Sequence, residues 1–505
     1  MKQRDILLWP SNRRIDHTSC KPAPSSLRRS AASGAKWTTA STAATTALHF
    51  CQLAVLARLL APQDFGLMAM IMVVLGFAQA YSDMGISNAI ICRQDATADQ
   101  LSSLYWLNMV AGILVFFLIL SAVPLIVAFY KEPRLASLLP WAASIFLVTP
   151  IGHQFQVLLQ KELAFRSLAV IETTSAVGGF ATAVGFAIAG AGVFSLILGQ
   201  LARSGIKALT LASVGFRRWR PKLRFKRVDI KGYTGFGLYQ MGEKSVNYFS
   251  ANVDYLVIGR LLGANVLGFY TLAYQMVVFP LQKMNPVLTR VTFPIFARVQ
   301  KDDSLLRRGF LELTKALSYI ACPLLVGLGA TSPVLVRELF GFNWSQAVPL
   351  IQILALVGLL KTLGNPMGSV LLAKGRADVG FKWNVLVAGL NTTVFYLAAK
   401  FSIHHVAWSH ACLSCVYFFG STCILTRIIG LTWGPYLLGL APPFVLSAAM
   451  GTFILSFLTI SRYVGDTTVL IMQIVFGSIM YSLLVCTFQR RYIFGVLEQL
   501  FNRRS

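Results

Sequence analysis

Apolar stretches of about twenty residues recur along this chain, and physics leaves them few options. "VAGILVFFLILSAVPLIVAFY" (Val110–Tyr130) and "VLIMQIVFGSIMYSLLVC" (Val469–Cys486) are each long enough to cross a bilayer as a helix. Of the 505 residues, 56% are hydrophobic and 13% charged, whereas soluble domains carry about a quarter charged residues. One core cannot absorb so many long runs. In hydrocarbon each backbone polar group needs a partner within its own element, which makes the spans helical. The breaks between runs predict an all-α polytopic membrane protein of about fourteen transmembrane helices.

The charges predict how those spans are oriented. Of the 45 Lys and Arg, 31 fall in the N-terminal tail, the even-numbered loops and the C-terminal tail; 5 fall in the odd-numbered loops and 9 within spans. Basic residues collect on the cytoplasmic side, so both termini are expected there. The same bias accounts for most of the net charge of +26 without invoking nucleic acid. The one strongly basic connector is "GFRRWRPKLRFKRVDIK" (Gly215–Lys231), after the sixth span.

A phrase occurs twice. "VLARLLAPQDFGLM" (Val55–Met68) lies on "VIGRLLGANVLGFY" (Val257–Tyr270) at an offset of 202, aligning Arg58 with Arg260 and Gly66 with Gly268. The offset covers six spans, so the copies run in the same direction. A parallel repeat predicts two pseudo-symmetric six-helix lobes with a substrate path between them. The expected organisation is a disordered basic tail (1–35), an N-lobe (36–214), the connector (215–231), a C-lobe (232–428), two further spans outside the repeat (429–488) and a basic tail (489–505).

Enzyme signatures are missing from the sequence. "GLYQMGEKS" (Gly237–Ser245) resembles a phosphate-binding loop but has Glu243 before the lysine and lies within a span. Cys412 and Cys415, with His410 nearby, read as small helix residues rather than metal ligands. No cofactor is expected. The informative residues are charges inside spans: Arg58, Arg203, Lys207, Lys244, Arg260, Lys283, Arg290, Lys315 and Lys361, against Asp83, Glu172, Glu243 and Asp254. On the lipid face each would cost about 2.5–3.5 kcal/mol, so most should face water, one another or a ligand. Glu243, Asn247, Ser250 and Asp254 share one helical face by spacing. The offset places Ser41, Thr45 and Gln52 beneath Glu243, Asn247 and Asp254, and pairs Asp83 with Asn285. Arg58 and Arg260 read as snorkelling or helix-capping residues near span ends. The mid-membrane bases Lys244 and Lys283, with Arg290, Arg203 and Lys361, are candidates to bind an anionic substrate. Asp83, Glu243, Asp254 and Glu172 are candidates for ion coupling or charge balance.

"NVDYLVIGRLLGANVLGFYTLAYQ" (Asn252–Gln275), "VTFPIFARVQKD" (Val291–Asp302) and "ARLLAPQDFGLMAM" (Ala57–Met70) resemble the polysaccharide flippases of the multidrug/oligosaccharidyl-lipid/polysaccharide exporter superfamily, over roughly 36–488. They are most similar to its colanic-acid-exporter-like, lipopolysaccharide-biosynthesis branch. The resemblance implies a bacterial inner-membrane protein that moves undecaprenyl-diphosphate-linked oligosaccharide between leaflets by alternating access. With no ATPase domain in the sequence, the expected energy source is a gradient of H⁺ or Na⁺, and a polysaccharide polymerase and export machinery are candidate partners. An excess of bases suits a diphosphate. A multidrug exporter taking cations is the second reading, and a membrane glycosyltransferase or polymerase the third.

Overall fold

The computed structural model describes residues 24–82, 90, 97–230, 234–457 and 465–489. Among these residues the secondary structure is helical, with no strand. Fourteen membrane-length segments follow in order. They are α1 Pro24–Leu59, α2 Pro62–Ser82, α3 Ala98–Tyr130, α4 Leu135–Lys161, α5 Phe165–Ile188, α6 Val193–Gly215 and α7 Thr234–Leu261. After these come α8 Gly263–Arg298, α9 Asp303–Leu339, α10 Ala347–Ala373, α11 Ala377–Ala399, α12 Ile403–Ile429, α13 Trp433–Ser456 and α14 Asp466–Phe488. Each coincides with one expected span. Ten are apolar and long enough to cross a membrane by length and composition. Of the other four, α6, α7 and α11 carry intramembrane charges or amides such as Arg203, Lys207, Asp254 and Asn391, and the side chains of α8 are described only in part.

The described part of the first helix reaches back to Pro24, ahead of the expected start at residue 36. Two spans break internally among the described residues. Ser144 interrupts α4 between Pro140 and Pro150, and α10 breaks at Asn365, whose own φ −58° and ψ −39° stay helical, because Pro366 has no N–H to continue the hydrogen-bond ladder. In contrast, α8 runs as one helix through Pro280, Pro286 and Pro294.

The chain divides into two compact units. The first comprises residues 1–56, 74–128 and 133–245, and the second 57–73, 129–132 and 246–505. The division falls inside α7, not in the connector, and the second unit takes in the α1–α2 corner. In the first unit small residues let helices approach closely. A Cβ on Gly199 of α6 would lie 2.6 Å from that of Ala183 on α5, and one on Gly152 of α4 would lie 2.7 Å from the Cα of Ala208 on α6. The connector is docked on the start of α3. Asp99 accepts from Arg224 Nη1 at 2.6 Å, Ser103 donates to Asp229 at 2.9 Å, and Trp106 Nε1 donates to the Lys222 carbonyl at 2.8 Å. In the second unit α14, outside the repeat, packs on α9 and α13: Tyr481 donates to the Tyr319 carbonyl at 3.0 Å and Gln473 to that of Ile454 at 3.3 Å.

Candidate functional site

The repeated phrase forms two helix corners, and within the second unit these corners pack on each other. A Cβ added to Gly66 would fall on the carbonyl oxygen of Ala264, 2.6 Å from its carbon; one on Gly268 would fall on the carbonyl oxygen of Pro62, 2.5 Å from its carbon. At the offset of 202, Gly66 corresponds to Gly268 and Pro62 to Ala264. The contact is therefore reciprocal, as a pseudo-two-fold axis requires. Glycine at these sites lets backbone meet backbone.

The two arginines follow the same reciprocity. Arg58 on α1 donates to the carbonyls of Leu339, at 3.0 Å, and Glu338, at the C-terminus of α9. There a cation meets unpaired carbonyls and the negative end of the helix dipole. Arg260 on α7 lies over the Phe129 ring at 5.7 Å, at the C-terminus of α3. Each copy's arginine thus meets the third helix of the other copy. The turns differ in detail. Gly263 has φ +85°, which suits glycine, while in the first copy Asp64 accepts from the Ala61 amide at 3.1 Å. Trp344, fully buried, fits between Phe65 and Phe269 at 5.1 and 5.9 Å and donates to the Ala57 carbonyl at 2.7 Å.

About 10 Å beneath this corner is a buried polar cluster. Asp254 on α7, Tyr270 on α8 and His410 on α12 each lie seven residues from the helix end on the corner side. They are 2%, 0% and 4% exposed. Tyr270 Oη donates to Asp254 Oδ2 at 2.7 Å and is 3.1 Å from His410 Nδ1, and the Tyr255 amide donates to Asp254 Oδ1 at 3.0 Å. Tyr255, Tyr274 and Phe395 pack around them with ring separations of 5.0–6.3 Å. Lys361 on α10 closes the cluster, with Nζ 3.4 Å from Tyr274 Oη and 5.4 Å from its ring centre.

The other sequence candidates divide as follows. In the first unit Glu172 on α5 is 4.0 Å from Lys207 on α6, and Arg203 beside them is exposed. Ser41 on α1 reaches the same part of α5, 3.4 Å from Thr173 Oγ1. Lys244 is half-buried on α7. The α7 face expected to be uniformly polar is graded: Asn247 is exposed, Ser250 half-buried and Asp254 buried. Asp83 lies outside the described residues, as do the side chains of Glu243, Lys283 and Arg290. Tyr270 and His410 are absent from the sequence candidates. Tyr270 was hidden in an apolar run, and His410 read only as a neighbour of the cysteines. No group of three His, Cys, Asp or Glu that could hold a metal occurs among the described residues.

Comparison with known proteins places these features in context. The family model described as polysaccharide biosynthesis protein matches residues 55–349. The chain is 38% identical to the teichuronic acid biosynthesis protein TuaB of Bacillus subtilis, covering 84% of this chain and 88% of that one. It is 39% identical to the lipopolysaccharide biosynthesis protein WzxC of Escherichia coli, covering 71% and 73%. Among solved structures it resembles the lipid II flippase MurJ in an inward closed conformation. The TM-score is 0.73 at 13% identity, over 91% of this chain and 99% of that one, a likeness of fold. An inward-facing multidrug transporter of the MATE family matches at TM-score 0.59 and 13% identity, over 76% and 95%.

Proposed function

This chain belongs to the polysaccharide biosynthesis protein family, and on that premise we propose that it carries undecaprenyl-diphosphate-linked oligosaccharide from the inner to the outer leaflet of a bacterial inner membrane for surface-polysaccharide assembly. It is a multi-pass membrane transporter, not an enzyme. The observation that carries the reading is sequence identity near 40% to two polysaccharide-biosynthesis proteins across most of a chain whose described part is membrane helices joined by short loops. Such a chain contributes transport to a pathway of that kind.

Bases inside spans suit an anionic diphosphate. Lys244, Lys283, Arg290, Arg203 and Lys361 are assigned to the substrate. Asp83, Glu243, Asp254 and Glu172 are assigned to coupling or charge balance, with H⁺ or Na⁺ as the coupling ion. The two copies rock so that the site opens first to one side and then the other. Both termini lie in the cytoplasm, where a polymerase and export machinery could be served by the same membrane region.

The test is reconstitution of the full chain in vesicles with a lipid-linked oligosaccharide in the inner leaflet, scored by its exposure to an added glycan-cleaving enzyme. Transfer is expected for the unaltered protein. Lys244→Ala and Lys283→Ala are each expected to lower apparent affinity at least tenfold, about 2–5 kcal/mol for an uncompensated buried anion. Equal transfer with and without protein would overturn the reading.

A further inference from the structure

We propose that Asp254, Tyr270 and His410 form a proton site that is reached when the corner opens and whose protonation favours the closed corner. This rests on the reading of the chain as an ion-coupled transporter, and it names the ion.

The first argument is the hydrogen-bond chain. With Tyr270 donating to Asp254 Oδ2 at 2.7 Å, its oxygen is left to accept from His410 Nδ1 at 3.1 Å. A phenol with one hydrogen can be directed either way. When a proton binds His410 Nε2, the Nδ1 proton moves to the Tyr270 oxygen as the Tyr270 proton moves to Asp254 Oδ2. The N–H and O–H bonds broken are replaced by two O–H bonds. The products are a neutral carboxylic acid, a neutral phenol and an imidazole protonated on Nε2. One proton has been taken up, and the charge on Asp254, Tyr270 and His410 together has gone from −1 to 0; Lys361, exposed on α10, keeps its own charge in both states.

The second argument is the donor set, which suits a proton better than Na⁺. A hard cation requires several oxygen ligands. Here one Asp254 oxygen already accepts from the Tyr255 amide, the other from Tyr270, and the third member is a nitrogen. Rings of Tyr255, Tyr274 and Phe395 fill the remaining surroundings. The groups facing Asp254 are Tyr255 on its own helix, Tyr270 and Tyr274 from α8, Lys361 from α10 and His410 from α12.

The third argument is the repeat. At the offset of 202 the first copy has Gln52 for Asp254 and Met68 for Tyr270. Both copies give equivalent glycines and backbone to the one reciprocal contact, while only the second carries the network, so the network is not among the groups that make the contact.

The link to the corner is mechanical. Tyr270 is two residues beyond Gly268, whose backbone meets Pro62. Separating those backbones moves the start of α8 and admits water toward Asp254. Closing the corner then buries the site, and a neutral acid is buried at far less cost than a carboxylate. Protonation therefore favours closure, with at most about a tenfold change in the open-to-closed ratio per pH unit for one linked proton.

The experiment needs no substrate. Spin labels at Gln63→Cys and Asn265→Cys, in the otherwise cysteine-free full chain in lipid, report the corner distance. The short-distance population is expected to rise as pH falls, to stay high at all pH in Asp254→Asn, and to lose its pH response in Tyr270→Phe and His410→Gln. Sodium at fixed pH is expected to leave it unchanged. A pH response persisting in Asp254→Asn, or a corner that follows sodium and not pH in the unaltered protein, would overturn the proposal. Loss of oligosaccharide transfer with the pH response intact would fault the transport reading and leave this one standing.

Discussion

Substituting Gly66 by alanine should pry the corner open. The new Cβ would clash with the Ala264 carbonyl oxygen and lie 2.6 Å from its carbon. Ordinary carbon–carbon contact is about 3.5–4.0 Å, so the two backbones must separate by about 1–2 Å. Neither can yield by a side-chain rotation, because the obstacle is main chain. Overpacking of this kind costs about 1–3 kcal/mol, which is about a 5–150-fold shift toward the open corner. The cost falls on the closed state alone, since the open corner has room for a methyl group. The Gln63/Asn265 label pair reads the shift directly as a longer distance. Gly268→Ala should act alike, because it meets Pro62 in the reciprocal position. The double substitution should add little, since one clash already separates both contacts. An unchanged short distance in Gly66→Ala would refute the close backbone packing, and fully additive shifts would refute the reciprocity.

Other outcomes follow from the same geometry. Reporter fusions after Arg220 and after Asn265 should lie on opposite sides of the membrane, with the first cytoplasmic, as the 31-to-5 charge split requires. Trp344→Ala should destabilise the purified protein by about 3–5 kcal/mol, and Trp344→Phe by less, since the latter keeps a ring between Phe65 and Phe269 and loses the bond to Ala57; thermal unfolding in detergent measures both. Asp99→Ala removes the acceptor of Arg224 and should speed tryptic cleavage within residues 217–226, read by fragment size, while leaving transfer activity in place.

The helices were legible because hydropathy reports burial in lipid directly, and each of the fourteen segments overlaps one expected span. The doubled phrase was legible too, but only as a resemblance between two stretches. That Gly66 touches Ala264 could not be read, because aligning Gly66 with Gly268 says what corresponds and not what meets. Arg58 was expected to cap or snorkel, yet its partner, the end of α9, is 281 residues away at Leu339. The buried cluster was half visible. Asp254 declared itself as a charge in an apolar helix, and a buried carboxylate must have partners. Tyr270 and His410 sit in apolar surroundings where an aromatic residue normally means core.

A signal for them existed in the repeat itself, at positions where the copies disagree. Arg58 and Arg260, or Gly66 and Gly268, are alike because both copies must build the same corner. Asp254 against Gln52, and Tyr270 against Met68, differ although the backbone around them is shared. Geometry cannot require a residue that its own symmetry mate does without. What the second copy has added at these positions is a titratable chain beneath a joint that both copies make, so the asymmetric residues carry the chemistry and the symmetric ones carry the motion.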